Sequence, residues 1–369
     1  MEPRIDISKI HTGWKSLERL NLILDEEEER YTQFLVLTDT NTSGYCYPAL
    51  QKILGFRGLS CEKVEVASGD TSKSHESCLK IWRFLRGHEA GRHTLLMNLG
   101  GGMISDLGGF AASVFKRGVS FLNIPTSLMA QIDAAVGGKT GINFMGVKNQ
   151  IGTFAFPSAV IVDPAFLETL PQREFVSAFS EMIKYALLSD EKRIKIINET
   201  FPDRFPVDST GKEDLLKLIN WGISRKIEII GADISDRGNR KLLNLGHTVG
   251  HALEAWSASS NAHPLLHGEA IGAGLICELF ISSELLGFPL PLAEEVAGYI
   301  LQKIPRVSIP DDPAALSEFL VQDKKNLKGK LRFTLLESPG KGHIDAEVDF
   351  LLVSRSLEFY NKLCYARYH

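Results

Sequence analysis

A chain of 369 residues has room for two domains of ordinary size. At 44% hydrophobic and 23% charged it reads as globular, which excludes disordered, collagen-like and disulfide-scaffold classes. Its 41 Lys and Arg against 45 Asp and Glu give a net charge of −4, which offers no electrostatic case for nucleic acid or an anionic membrane. Met1-Glu2-Pro3-Arg4-Ile5-Asp6 lacks the basic start and apolar run of a signal peptide. The most apolar stretch, Ala270 to Leu286, is broken by Glu278 and Glu284 and reads as a buried helix, not a membrane span. The five cysteines are widely spaced and contain no Cys-x-x-Cys pair, so reduced thiols and a cytoplasmic location are expected.

In chain order, Phe34–Thr38 is an apolar run ending in the polar turn Asp39-Thr40-Asn41, which predicts a strand feeding a loop. Ser60–Val66 suits a less buried strand, and Ser74–Leu85 a helix with Cys78, Ile81, Trp82 and Leu85 on one face. Thr94–Leu99 is a buried strand that stops at Gly100-Gly101-Gly102. Ser120–Ile124 stops at Pro125, and Ala159–Val162 at Asp163-Pro164. Short apolar strands alternating with helices predict a parallel sheet covered on both faces. After about Pro171 strand signals nearly vanish. Lys212–Gly231, Gly268–Leu286 and Leu292–Ile304 predict helices, and Leu331–Leu336 a late strand. The expected organisation is α/β, with a Rossmann-like parallel-sheet domain over residues 1–170 and a mainly α-helical domain over 171–369.

Several clusters could carry chemistry. The three glycines at 100–102 precede Met103-Ile104-Ser105-Asp106, the start of a helix. Such a turn could seat a pyrophosphate at the helix N-terminus, or could be only a tight turn. Asp39 and Asn41 could bind a ribose hydroxyl or simply satisfy their own turn. In the second half stand Glu181, His247-Thr-Val-Gly-His251 and His267-Gly-Glu269. His247 and His251 share a helical face, as two metal ligands or as a ligand and its neighbour. Gly137-Gly138-Lys139-Thr140-Gly141 and Lys148-Asn149 bracket a glycine-containing loop whose lysines could meet a phosphate. Lys184 lies three residues past Glu181, on the same helical face. The remaining histidines have no such company and are expected at the surface.

Taken in order, these segments resemble the 3-dehydroquinate synthase family, part of the sugar phosphate cyclase superfamily. The blocks are Asn98-Leu-Gly-Gly-Gly-Met-Ile-Ser-Asp106, Lys116-Arg117-Gly118, Ile124-Pro-Thr-Ser-Leu-Met-Ala-Gln-Ile-Asp133 and Val136-Gly-Gly-Lys-Thr-Gly-Ile-Asn143. They continue with Lys148-Asn149-Gln-Ile-Gly152, Ser180-Glu-Met-Ile-Lys-Tyr185, Arg240-Lys-Leu-Leu-Asn-Leu-Gly-His-Thr-Val-Gly-His251 and Leu266-His-Gly-Glu269. The resemblance runs from Thr38 to Lys325. It implies a lyase of the shikimate pathway of aromatic amino acid biosynthesis, acting on 3-deoxy-D-arabino-heptulosonate 7-phosphate. That phosphorylated sugar acid would be oxidised transiently at C5 by NAD, lose phosphate, be reduced, open its ring and close by an aldol step to 3-dehydroquinate. The alternative is the amino-dehydroquinate enzyme or another sugar phosphate cyclase.

Carried over by position, the resemblance makes Glu181, His247 and His267 ligands of Zn2+, with Co2+ a possible substitute, and places His251 against the substrate. Asp39, Asn41, Asp70, Lys73, Gly101, Gly102, Met103, Asp106, Thr126, Ser127, Lys139, Lys148 and Thr169 would serve NAD. Asp133, Lys139, Asn149, Lys184, Lys226, Arg240, Asn244 and Lys324 would hold the substrate, and Arg117 would reach a phosphate across a homodimer interface. The sequence departs from the family's usual residues at Asp236, Asp70, Ser127 and Phe144-Met145. The long separation of His247 and His267 implies a surface loop around Ser257 to His263.

Overall fold

The computed structural model describes residues 6–26, 30–59, 61–145, 147–234, 236, 238–260, 264–310, 313–321 and 331–366. The chain divides into two compact units. One holds Met1–Phe175 with Phe205–Gly231, and the other Val176–Arg204 with Ala232–His369.

The first unit is built on a parallel six-stranded sheet of β1 (Ile10–Thr12), β2 (Gln33–Asp39), β3 (Glu62–Val66), β4 (Thr94–Gly100), β5 (Ser120–Pro125) and β8 (Val160–Val162), ordered β1-β8-β5-β4-β2-β3. The intervening β6 (Lys139–Phe144) and β7 (Val147–Phe154) form a separate antiparallel hairpin. Its helices are α1 (Leu20–Glu26), α2 (Thr40–Tyr45), α3 (Tyr47–Phe56), α4 (His75–Gly87) and α5 (Gly102–Val114). Strands buried on both faces read as unbroken apolar runs because alternate residues enter different cores. Val36, Met97, Leu122 and Ile161 pack with Leu20, Leu24, Leu50 and Leu54 on one face. Leu35, Leu37, Leu96 and Phe121 meet Ile81, Leu85, Leu107 and Phe110 on the other.

Short α6 (Gln172–Ser177) follows. The helices α7 (Phe179–Leu187) and α8 (Glu191–Thr200) belong to the second unit, whereas α9 (Ser209–Gly231) returns to the first. This return places a helix from beyond residue 170 with the parallel-sheet unit. There its Lys226 reaches Asp133, in a π-helical turn over Ala130–Ala134. The second unit continues with α10 (His247–Ser260), α11 (His267–Leu286), α12 (Leu290–Lys303), α13 (Ser317–Val321), the antiparallel pair β9 (Leu331–Ser338) and β10 (Lys341–Val348), and α14 (Phe350–Ala366). Every residue of α11 from Gly268 to Leu279 is buried. Gly274 permits its close approach to α10, since a Cβ there would stand 2.1 Å from the Gly246 carbonyl oxygen.

Two sequence expectations are corrected. The segment from Lys139 to Asn149 is not a loop but most of the β6–β7 hairpin. Gly141 and Gly152 face each other across it, and a Cβ on either would strike partner-strand backbone at 2.7 or 2.4 Å. These glycines mark close backbone approach, which in sequence looks like a turn. The surface loop expected around Ser257 to His263 is largely helix, because α10 continues to Ser260. Ser257 is buried, and its hydroxyl accepts a hydrogen bond from the Leu265 amide at 2.9 Å. Residues 261–263 lie outside the described residues.

Candidate active site

In the second unit, α7 is buried along its whole length, an unusual setting for the two charged residues Glu181 and Lys184. Three positions apart, they share a face and form an ion pair. Glu181 is fully buried, its Oε2 turned to the Lys184 ammonium. Its Oε1 instead faces two imidazoles, His247 Nε2 at 3.5 Å and His267 Nε2 at 3.8 Å. These histidines are the first residues of α10 and α11, brought together by the packing around Gly274.

The protons lie on the far side of both rings. His247 Nδ1 is 2.9 Å from the Leu245 carbonyl oxygen, and His267 Nδ1 is 3.2 Å from Glu254 Oε2. Both partners only accept, so Nδ1 is the donor in each ring, and a neutral imidazole so held presents the lone pair of its Nε2. Burial, then the Lys184 ammonium, holds the His247 imidazole well below its ordinary pKa, which keeps it neutral. A carboxylate oxygen and two lone pairs converging without a proton between them repel one another until a cation enters. Ligands about 2.0–2.2 Å from a tetrahedral zinc stand about 3.3–3.6 Å apart, close to the separations found here. The residues present therefore fit a divalent metal.

His251 joins the same cluster. Its ring lies 5.1 Å from that of His247 and 5.8 Å from that of His267, and the ligating atoms of the three lie within 4.8 Å of one another. Arg240 is buried near the start of the same segment, its Nη1 donating to the Ile234 carbonyl at 2.9 Å. Asn244, at the end of a 3₁₀ turn over Asn239–Asn244, and Asp236, with φ of 59°, are half-buried.

The first unit carries the second set. Strand β4 delivers Gly101 and Gly102 to the N-terminus of α5, where no side chain caps the helix. A Cβ at Gly101 would sit 3.3 Å from Ser127 Oγ, and one at Gly102 3.0 Å from Ala134 Cβ. The two glycines thus keep the helix end clear, as a pyrophosphate approaching its amides would need. Asp106, one turn into α5, pairs with buried Lys73, whose Nζ also donates to Asn149 Oδ1 at 2.5 Å. Burial raises the Asp106 pKa, and Lys73 opposes that rise. Asp70 meets Lys148 at 2.9 Å and accepts from Asn143 Nδ2 at 3.0 Å, which joins the hairpin to the loop after β3. Asp39 caps α2 through Oδ1, donors being the amides of Asn41 and Thr42, so the satisfied-turn reading holds for that oxygen. Cys46 is buried, which pushes its thiol up to about 11, with Thr169 and Thr126 opposing that rise. Met103 packs against the sheet core. Lys226 holds Asp133 through both Oδ1 and the backbone carbonyl, each at 2.7 Å. Lys139 and Arg117 are exposed, the latter with φ of 67°. Lys324 lies outside the described residues. His11, His75, His88, His93 and His343 are exposed or half-buried, while His263 and His369 lie outside the described residues.

Residues 63–177 match the family model for the 3-dehydroquinate synthase N-terminal region, and residues 178–326 the one for its C-terminal region. The chain belongs to the 3-dehydroquinate synthase family. It is 40% identical to the 3-dehydroquinate synthase of Parabacteroides distasonis, over 90% of this chain and 92% of that one. To the 3-dehydroquinate synthase of Alkaliphilus oremlandii it is 36% identical, over 97% of each chain. Its fold is shared with the 2-epi-5-epi-valiolone synthase of Streptomyces hygroscopicus, solved with NAD+ and Zn2+ bound. That comparison has a TM-score of 0.82 and 20% identity, covering 98% of this chain and 99% of that one.

Two carboxylates absent from the sequence-based site residues stand beside the histidine cluster. Glu254 follows His247 and His251 on the same face of α10, a spacing that could have flagged it. Glu278 had a signal too, as a charge inside the most apolar helix. It is fully buried and accepts from the amides of Gly246, Thr248 and Val249 at 2.6, 2.9 and 3.1 Å.

Proposed function

We propose that this chain is a 3-dehydroquinate synthase, converting 3-deoxy-D-arabino-heptulosonate 7-phosphate to 3-dehydroquinate and phosphate. The observation that carries this reading is the buried Glu181 carboxylate, paired with Lys184 through Oε2 and faced at Oε1 by the Nε2 atoms of His247 and His267. Together with family membership, it supports an intact metal centre with a lysine beside it. Glu181, His247 and His267 would hold Zn2+. NAD would take the α5 N-terminus at Gly101 and Gly102, with Asp39, Asn41, Asp70, Lys73, Met103, Asp106, Thr126, Ser127, Lys139, Lys148 and Thr169 around it.

When bound, the metal supplies Lewis-acid polarisation of a substrate hydroxyl and NAD a hydride acceptor that is restored within each turnover. The chain's own residues bind and orient. Lys184 and Arg240 are buried cations suited to anionic oxygens, because a charge in a low-dielectric setting attracts more strongly than one in water. His251 would hold a proton at its imidazole beside the substrate, and Asn244 would donate its amide to a hydroxyl. Lys226 fixes Asp133, so that its carboxylate would meet a substrate hydroxyl in one orientation. Lys139 and Asn149, at the hairpin, and Lys324 would complete the set.

We assign the protein to a homodimer in the cytoplasm, with Arg117 reaching the partner's phosphate site. Arg117 stands in the tight turn that follows the half-exposed Val114, and the neighbouring Ser113 bonds Thr153 at 2.8 Å beside half-exposed Phe154. This is an apolar rim of the kind dimers cover. Among the described residues no helix is long and apolar enough to cross a membrane. Sedimentation at the single-chain mass of 40.8 kDa would rule out the dimer.

The activity is tested by incubating the pure protein with zinc, catalytic NAD and the substrate. Phosphate and dehydroquinate are expected in equal amounts with no accumulating NADH. Absence of phosphate release by protein that binds both zinc and NAD would overturn the assigned substrate.

A further inference from the structure

Glu254 is buried, and a buried carboxylate is costly unless something pairs with it. Its Oε2 lies 3.2 Å from His267 Nδ1. An ionised carboxylate has no proton to give, so the bond places the imidazole proton on Nδ1. The other ring nitrogen, Nε2, is the atom that faces Glu181. The two histidines facing Glu181 differ in what holds them. His247 is 12% exposed and braced by a backbone carbonyl, while His267 is 35% exposed. A ring that open is not fixed by packing alone and depends more on its hydrogen bond. Such outer carboxylates raise the basicity of a ligating imidazole as well as aiming it.

We infer that Glu254 is the positioning residue of the metal centre, holding His267 in the tautomer and orientation that direct its Nε2 at the cation, without being a ligand itself. The inference rests on the proposed metal site. Its position on α10, seven residues after His247 and three after His251, carries the constraint from one metal-binding helix to the other.

The test is zinc affinity, measured on purified metal-free protein by competition with a chromophoric chelator, for the wild type, Glu254→Gln and Glu254→Ala. The absorption spectrum of each protein loaded with Co2+ is recorded as well. Both variants are expected to bind zinc about 10- to 100-fold more weakly. Their cobalt bands are expected to shift, which a purely structural role in α10 would not produce. Glu254→Gln preserves shape and packing, so the comparison stands even where Glu254→Ala fails to fold. Zinc affinity within threefold of the wild type, with superimposable cobalt spectra, would overturn the inference and leave the proposed metal site intact. A wild-type protein that binds no zinc would overturn both.

Discussion

Replacing Lys184 with Met is expected to abolish turnover while tightening the hold on the metal. The Lys184 ammonium is paired with the Glu181 carboxylate, with both side chains at most 2% exposed. Removing the lysine strands a buried charge, which costs about 3–5 kcal/mol. A divalent cation repairs that loss, and it no longer meets a neighbouring positive charge. Zinc should therefore bind on the order of tenfold more tightly and raise the melting temperature more than in the wild type. Turnover should fall by about 100-fold or more, because the variant lacks a buried cation for the substrate's anionic oxygens. Calorimetric melting with and without zinc, together with phosphate release, checks both halves. A metal-free variant as stable as the wild type would show that Lys184 is not the counter-charge of Glu181.

Glu278→Ala is expected to be the most damaging single change away from the ligands. The carboxylate accepts from Thr248 and Val249, the second and third residues of α10, and from Gly246 just before it. Helix N-termini carry amides without intrahelical partners. Here a side chain from α11 satisfies them, and its negative charge also complements the helix dipole. Truncation leaves three buried donors unmet, at about 3 kcal/mol or more in total. His247 opens α10, so loosening that end should weaken zinc binding alongside stability. Urea denaturation and chelator competition measure the two effects. An unfolding free energy within about 1 kcal/mol of the wild type would mean that water takes over the carboxylate's role.

Much of the fold is legible in the chain itself. The strands β2, β4, β5 and β8 stand out because burial on both faces makes them continuous apolar runs bounded by Gly, Pro or Asp. The hairpin does not, since glycines demanded by close backbone contact are indistinguishable in sequence from glycines demanded by a turn. β1 is only three residues long and is defined by its parallel pairing with β8, a tertiary event with no local signal. The return of α9 to the first unit is likewise invisible, because helical periodicity shows which face is buried and not against what.

The candidate site divides the same way. The spacing of His247 and His251 suggests a shared helical face, and the cluster of three histidines bears this out. Spacing alone could not choose between His251 and His267 as the second imidazole facing Glu181, and the 3.8 Å approach of His267 Nε2 favours the latter. Glu254 looks like an ordinary helix-surface carboxylate until the packing of α10 on α11 buries it, whereas Glu278 stands out as a charge in an apolar run that does not show what it bonds. Whether a carboxylate is solvated or supports a neighbouring group is decided by tertiary contacts.

Turnover depends on a hydride that leaves the substrate and returns to it. Its most direct test repeats the reaction with deuterium at C5 of 3-deoxy-D-arabino-heptulosonate 7-phosphate and catalytic unlabelled NAD. The predicted result is dehydroquinate that keeps the label at that carbon, one phosphate released per product, and no label in free NADH. Deuterium passing into accumulating NADH, with phosphate still on the sugar, would contradict the account and identify a dehydrogenase on the same fold.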